Sequence, residues 1–209
     1  RREMLADGTI HLLGVIFGLA GGIAIVILAA LQPLGWAGWL SVAVYAASLV
    51  SMLGVSATYN MWPVGRRKWL LRRADHALIY LMIVGTYTPL VTLVGSDARA
   101  WTLLAMVWLV AGIGIAIKLL LPGRFDRVAI VLYLLLGWSG VLAYDSVIAA
   151  LSTEALWLLA AGGLLYSVGV VFHVWRSLPY QNAIWHAFVL AATACHYGTV
   201  TLTVVGSGA

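Results

Sequence analysis

The chain has 209 residues, of which 63% are hydrophobic and 9% charged, with a mean hydropathy of +1.01. A water-soluble domain carries about 25% charged residues, so the composition excludes one and points to an integral membrane protein. The net charge of +5 does not signal nucleic acid, because the basic residues sit in short segments between apolar runs, where they set topology.

A helix needs about 20 mostly apolar residues to cross the hydrocarbon core, and seven such runs follow one another. The expected fold is an all-α seven-transmembrane-helix bundle, one transmembrane domain over residues 1–209. The first run, 10–31, is long for a signal-peptide core and no convincing cleavage site follows it. It is read as a retained helix, preceded by Asp7 and carrying His11 in its first turn. The second, 36–59, closes on Ser56-x-x-x-Asn60, a spacing that puts both side chains on one helical face. The third, 74–94, opens on Asp75 and His76. The fourth and fifth cover 101–121 and 128–144. The sixth, 155–173, ends on His173, which is expected at the interface. The seventh, 183–204, opens on Asn182-x-x-x-His186. His196 follows ten residues later, about 15 Å deeper and rotated away, and is read as a hydrogen-bonded core histidine.

The linkers carry turn signals: Gln32-Pro33-Leu34-Gly35, Trp62-Pro63-Val64-Gly65, Gly95-Ser96-Asp97, Leu121-Pro122-Gly123-Arg124 and Leu178-Pro179. Loops this short make each helix antiparallel to the next. Trp36, Trp39, Trp62, Trp69, Trp101 and Trp185 are expected interfacial anchors. Gly112-x-Gly114 and Gly162-Gly163 are expected to let helices approach closely. Cys195 is the lone cysteine, so an internal disulfide is excluded and the thiol is read as a packed small residue.

Seven spans put eleven of the 12 Lys and Arg residues on one side, with Arg99 alone on the other. Positive charge stays in the cytoplasm, so the N-terminus is expected inside and the C-terminus outside. Helices 1, 2, 3 and 7 then deliver polar groups to a similar depth near the cytoplasmic face. Polar clusters within a bilayer are costly and mark functional sites. Each residue also has a structural reading. Asp7 and Asp75 suit the positive end of a helix dipole, Asn182 can cap helix 7, and His76 can face headgroups.

These residues carry a resemblance. The stretch Arg72-Arg73-Ala74-Asp75-His76-Ala77-Leu78-Ile79-Tyr80, followed by Gly85-Thr86-Tyr87-Thr88-Pro89, resembles the main signature of the hemolysin III family. That family is the bacterial branch of the progestin and adiponectin receptor superfamily. Ser56-Ala57-Thr58-Tyr59-Asn60 resembles its Ser-x-x-x-His motif. Asn182-Ala183-Ile184-Trp185-His186, running on to Cys195-His196-Tyr197, resembles its His-x-x-x-His motif. Ala6-Asp7-Gly8-Thr9-Ile10-His11 is similar to the N-terminal motif. The resemblance implies a seven-helix bundle with a zinc ion held by three histidines and a water positioned by an aspartate. Asp75 matches that aspartate, His186 the last histidine and Ser56 the motif serine. Asn60 and Asn182 stand where the other two histidines would be, and a neutral amide is a poor zinc ligand.

Two functions from different classes follow. The first is a regulator of membrane homeostasis or a lipid sensor, in which Ser56, Asn60, Asp75, Asn182 and His186 form a hydrogen-bond network joining helices 2, 3 and 7. The alternative is a metal-dependent hydrolase of lipid amides or esters, with Asp75 and Ser56 as its catalytic residues. Its metal shell would draw on His186, Asp75, Asn60 and Asn182, with His11 and His76 as substitutes. A pore or transporter is the weaker third reading, since no broken helices or repeats are visible. Expected partners are membrane lipids or a lipid-like small molecule in a bacterial inner membrane. Nothing in the sequence specifies an oligomer.

Overall fold

The computed structural model describes residues 2–94, 97–121 and 123–207. Arg1, Gly95, Ser96 and Pro122, which contribute to the charge and linker patterns above, lie outside the described residues. Seven helices are long and apolar enough to span a membrane. They are α1 (Arg2–Ala30), α2 (Trp36–Met61), α3 (Arg66–Val94), α4 (Ala98–Leu120), α5 (Asp126–Trp138), which reaches spanning length only with its 3₁₀ continuation to Ala143, α6 (Thr153–Val174) and α7 (Gln181–Gly206). A helix satisfies its backbone internally, which hydrocarbon demands of any lipid-exposed segment. The chain is therefore an all-helical integral membrane protein.

Several helices begin earlier than hydropathy suggests, because helix geometry continues through polar turns that an apolar window rejects. α1 starts at Arg2, so Asp7 and His11 lie inside it. α3 starts at Arg66, so Asp75 and His76 are in its third turn and a dipole role for Asp75 does not hold. Asn182 is not the cap of α7. Tyr180 holds that position with φ of 60°, and its N–H donates to Glu3 Oε1 at 2.9 Å.

The fifth span is the irregular one. α5 ends at Trp138 and the chain continues as 3₁₀ turns over Ser139–Ala143 and Ile148–Ala150. The Tyr87 hydroxyl of α3 meets this break: it accepts the Gly140 N–H at 2.7 Å and donates to the Leu136 carbonyl at 3.0 Å. Loose backbone within the apolar layer thus finds protein partners.

Successive helices α1 to α4 pack side by side, and α7 packs along α6 and α1 and also reaches α3. One packed cluster, around Ile25, Tyr45, Leu49 and Val200, lies mainly among α1, α2 and α7. A second, around Tyr80, Val84, Val107 and Leu136, joins α3, α4 and α5. Close approach depends on missing side chains at several places, two of them on α3 and α4. A Cβ on Gly85 would strike Ser48 of α2, and one on Gly114 would strike the Tyr80 ring. Gly112 faces open space instead. At the basic end, Asp126 accepts from Lys118 Nζ at 2.6 Å and Arg72 Nη2 at 2.8 Å, tying α5 to α4 and α3. By contrast, α5 touches α6 only sparingly, and that looseness makes room for the site.

Candidate functional site

A cavity of about 1200 Å³ lies among α3, α5, α6 and α7 and reaches α2 at the basic end. Its walls are apolar along most of its length, with Ile83, Ile130, Leu134, Leu159 and Val189 among them. Its basic end is polar. Ser56, Asn60, Asp75, His76, Asn182 and His186 all line it there. The residues singled out by sequence therefore share one space. Trp157 and Val141 line the cavity while remaining 73% and 57% exposed. A wall residue that also faces outward means the cavity opens sideways between α5 and α6.

The expected hydrogen-bond network among helices 2, 3 and 7 is not what the structure draws. Asn60 Nδ2 donates to the Ser56 carbonyl on its own helix at 2.9 Å, and its backbone carbonyl accepts from Lys68 Nζ at 3.3 Å. Asp75 Oδ2 lies 3.5 Å from Nδ1 of its neighbour His76. Among the described residues, no hydrogen bond joins Ser56, Asn60, Asp75 or Asn182 to one another across helices. The physical reason is length: these short side chains reach their own backbone more readily than a neighbouring helix across an open space.

The inter-helix polar link runs from α7 to α1 instead. His186 Nδ1–H donates to Asp7 Oδ1 at 2.6 Å. His11 Nε2 lies 3.7 Å from the same oxygen, and the two imidazole rings are 4.3 Å apart. Asp7 and His11 are each 7% exposed. They sit behind the cavity wall, whereas His186 belongs to both the cluster and the wall. One ligand atom from each of Asp7, His11 and His186 lies within 4.8 Å of the others.

Two histidines stand elsewhere than the sequence suggests. His173 is not an interfacial residue but part of the cavity wall, its ring 4.8 Å from Trp185. Trp185 is correspondingly a packing residue rather than an anchor. His196 lines the same cavity at greater depth, beside Tyr166 with ring centroids 5.6 Å apart. Its place is made by Gly162, where a Cβ would overlap the imidazole. The helical pairing of Gly162 with His196 carries no signal in either segment alone.

The zinc set implied by the resemblance does not fit these residues. Of its three histidine positions, His186 alone offers an imidazole, and the amide of Asn60 is turned onto its own helix.

Fold and site together define a seven-helix integral membrane protein with a laterally open cavity whose polar end is built from histidines, carboxylates and amides. The chain belongs to the hemolysin III family: the family described as "Haemolysin-III related" matches residues 2–197. It is 32% identical over 196 residues to the Hemolysin-3 homolog of Bacillus subtilis, covering 94% of this chain and 92% of that protein. It is 32% identical to Hemolysin-3 of Bacillus cereus, with 98% and 93% covered. The human monocyte to macrophage differentiation factor is 32% identical over 162 residues, covering 74% of this chain and 66% of that protein. No solved structure matches the chain.

Proposed function

We propose that this protein is a lipid-responsive regulator of membrane state. It takes an amphiphilic molecule from the surrounding bilayer into its cavity. The single observation behind the reading is the shape and chemistry of that space: apolar along its length, polar at one end, and open at the side between Val141 and Trp157. Ligand sites are concave, mostly apolar and furnished with a few convergent polar groups. The apolar part would take an acyl chain. The headgroup would lie against Asp75, His76, Asn182 and Arg72. In this reading the basic end faces the cytoplasm of a bacterial inner membrane.

A second reading, hydrolysis of lipid amides or esters, is favoured by one feature. His186, on the cavity wall, is held by the buried Asp7 carboxylate, a pairing that fixes an imidazole tautomer and orients a general base. Asp75 and Ser56 line the same end.

Lipids co-purifying with the protein in mild detergent, identified by native mass spectrometry, test the first reading. A retained amphiphile is expected, and Ala160→Phe, which narrows the cavity from the α6 wall, is expected to reduce it at least fivefold. Deleting the gene is expected to alter membrane fluidity, with Ala160→Phe failing to restore it. Equal lipid retention by both proteins overturns the proposal. Turnover of added amide or ester lipids in place of retention favours the second reading.

A further inference from the structure

The Asp7–His11–His186 cluster needs an account that the lipid reading does not supply. Asp7 is a carboxylate buried behind the cavity wall, and among the described residues no Lys or Arg pairs with it. Its neighbours are two imidazoles, one of which, His11, has a buried Nε2 with no hydrogen-bond partner. Burying a carboxylate without compensation is costly, and such groups are paired or ligate metals. A ring nitrogen left unpartnered in the same contact is equally unusual.

We infer that Asp7, His11 and His186 form a divalent transition-metal centre, offset from the motif positions now held by Asn60 and Asn182. Two imidazoles and one carboxylate are the donors that zinc and its neighbours prefer. Adjacent ligands around a tetrahedral ion with bonds of about 2.1 Å are about 3.4 Å apart. The Asp7–His11 separation of 3.7 Å already approximates one such edge. The Asp7–His186 separation of 2.6 Å is that of a hydrogen bond, so the ion takes the place of the shared proton and the pair opens by less than about 1 Å. His11 Nε2 then gains the partner it lacks. His186, which also lines the cavity, would link this centre to the cavity wall. The centre would clamp α1 to α7 whether or not the cavity holds a lipid.

The test uses the full chain purified without chelator. Elemental analysis is expected to find about one zinc or related ion per chain. Protein stripped with chelator and titrated with Co²⁺ is expected to show the intense visible bands of a four-coordinate ion, displaced by Zn²⁺. Asp7→Asn and His11→Gln should each weaken Co²⁺ binding at least roughly tenfold, while Asn60→Ala and Asp75→Asn should leave it unchanged. Pulsed paramagnetic resonance of the Cu²⁺-loaded native chain is expected to count two imidazoles, which keeps the test decisive if a variant fails to fold. Absence of any bound ion overturns the inference. So does binding that survives Asp7→Asn and His11→Gln but is lost in Asp75→Asn.

Discussion

The contact between Asp7 and His186 joins residues 179 positions apart. Nothing in the local pattern of either segment announces it. What the sequence does carry is the weaker fact that both lie near the same end of their helices, as do Ser56, Asn60, Asp75 and Asn182. Depth is legible because helical rise converts residue number into distance. Direction around the bundle is not, because it depends on how each helix is rotated by its neighbours. Hence the shared cavity end could be foreseen, while the partner of His186 could not. A double-mutant cycle in the metal-free protein between Asp7→Ala and His186→Ala should give a coupling of about 1–2 kcal/mol, the upper range for polar pairs within membranes. The same cycle for Asn60→Ala and Asn182→Ala should give none, since each side chain is independent of the other. Reversible unfolding in mixed micelles measures both.

At the scale of single helices, the ends decide what the apolar runs leave open. The Gln181 amide donates to the carbonyls of Phe172 and His173 at 3.0 and 2.9 Å, closing the last turn of α6 from the first residue of α7. At the opposite end of the bundle, Asp97 caps α4 by accepting the Ala100 N–H at 3.0 Å and also accepts the Ser146 hydroxyl at 2.6 Å. The Ser146 hydrogen bond, with the Ala100 N–H behind it, holds the Asp97 carboxyl below its ordinary pKa. A carboxyl whose folded-state pKa is lowered adds stability above its unfolded-state value and loses it as pH falls through the folded one. Protection of the amides in the first turn of α4, relative to their intrinsic exchange rates, should therefore be higher near neutrality and fall below about pH 4. Asp97→Asn should remove that pH dependence. Such caps were invisible to a hydropathy reading, which sees only the apolar middle of a span. The same blindness hid the early starts of α1 and α3.

Across the whole molecule, the number and order of helices were readable because a bilayer permits few alternatives for a chain this apolar. The cavity was not readable, since it is a volume left over where α5 fails to press against α6. Sidedness belongs to this scale too. With ten of the eleven described Lys and Arg residues at one end and Arg99 at the other, a periplasm-dependent reporter fused after Val205 should be active, and one fused in the α2–α3 turn at Val64 should be inactive. The opposite pattern would invert the bundle.

The gap between Val141 and Trp157 has one more consequence. Acyl chains from the host leaflet can occupy part of the protein's interior, so the folded structure has no fixed filling of its own. Its melting temperature should track the length and saturation of the lipids around it, and extraction into a bulky detergent should cost more stability than its seven well-formed helices would suggest.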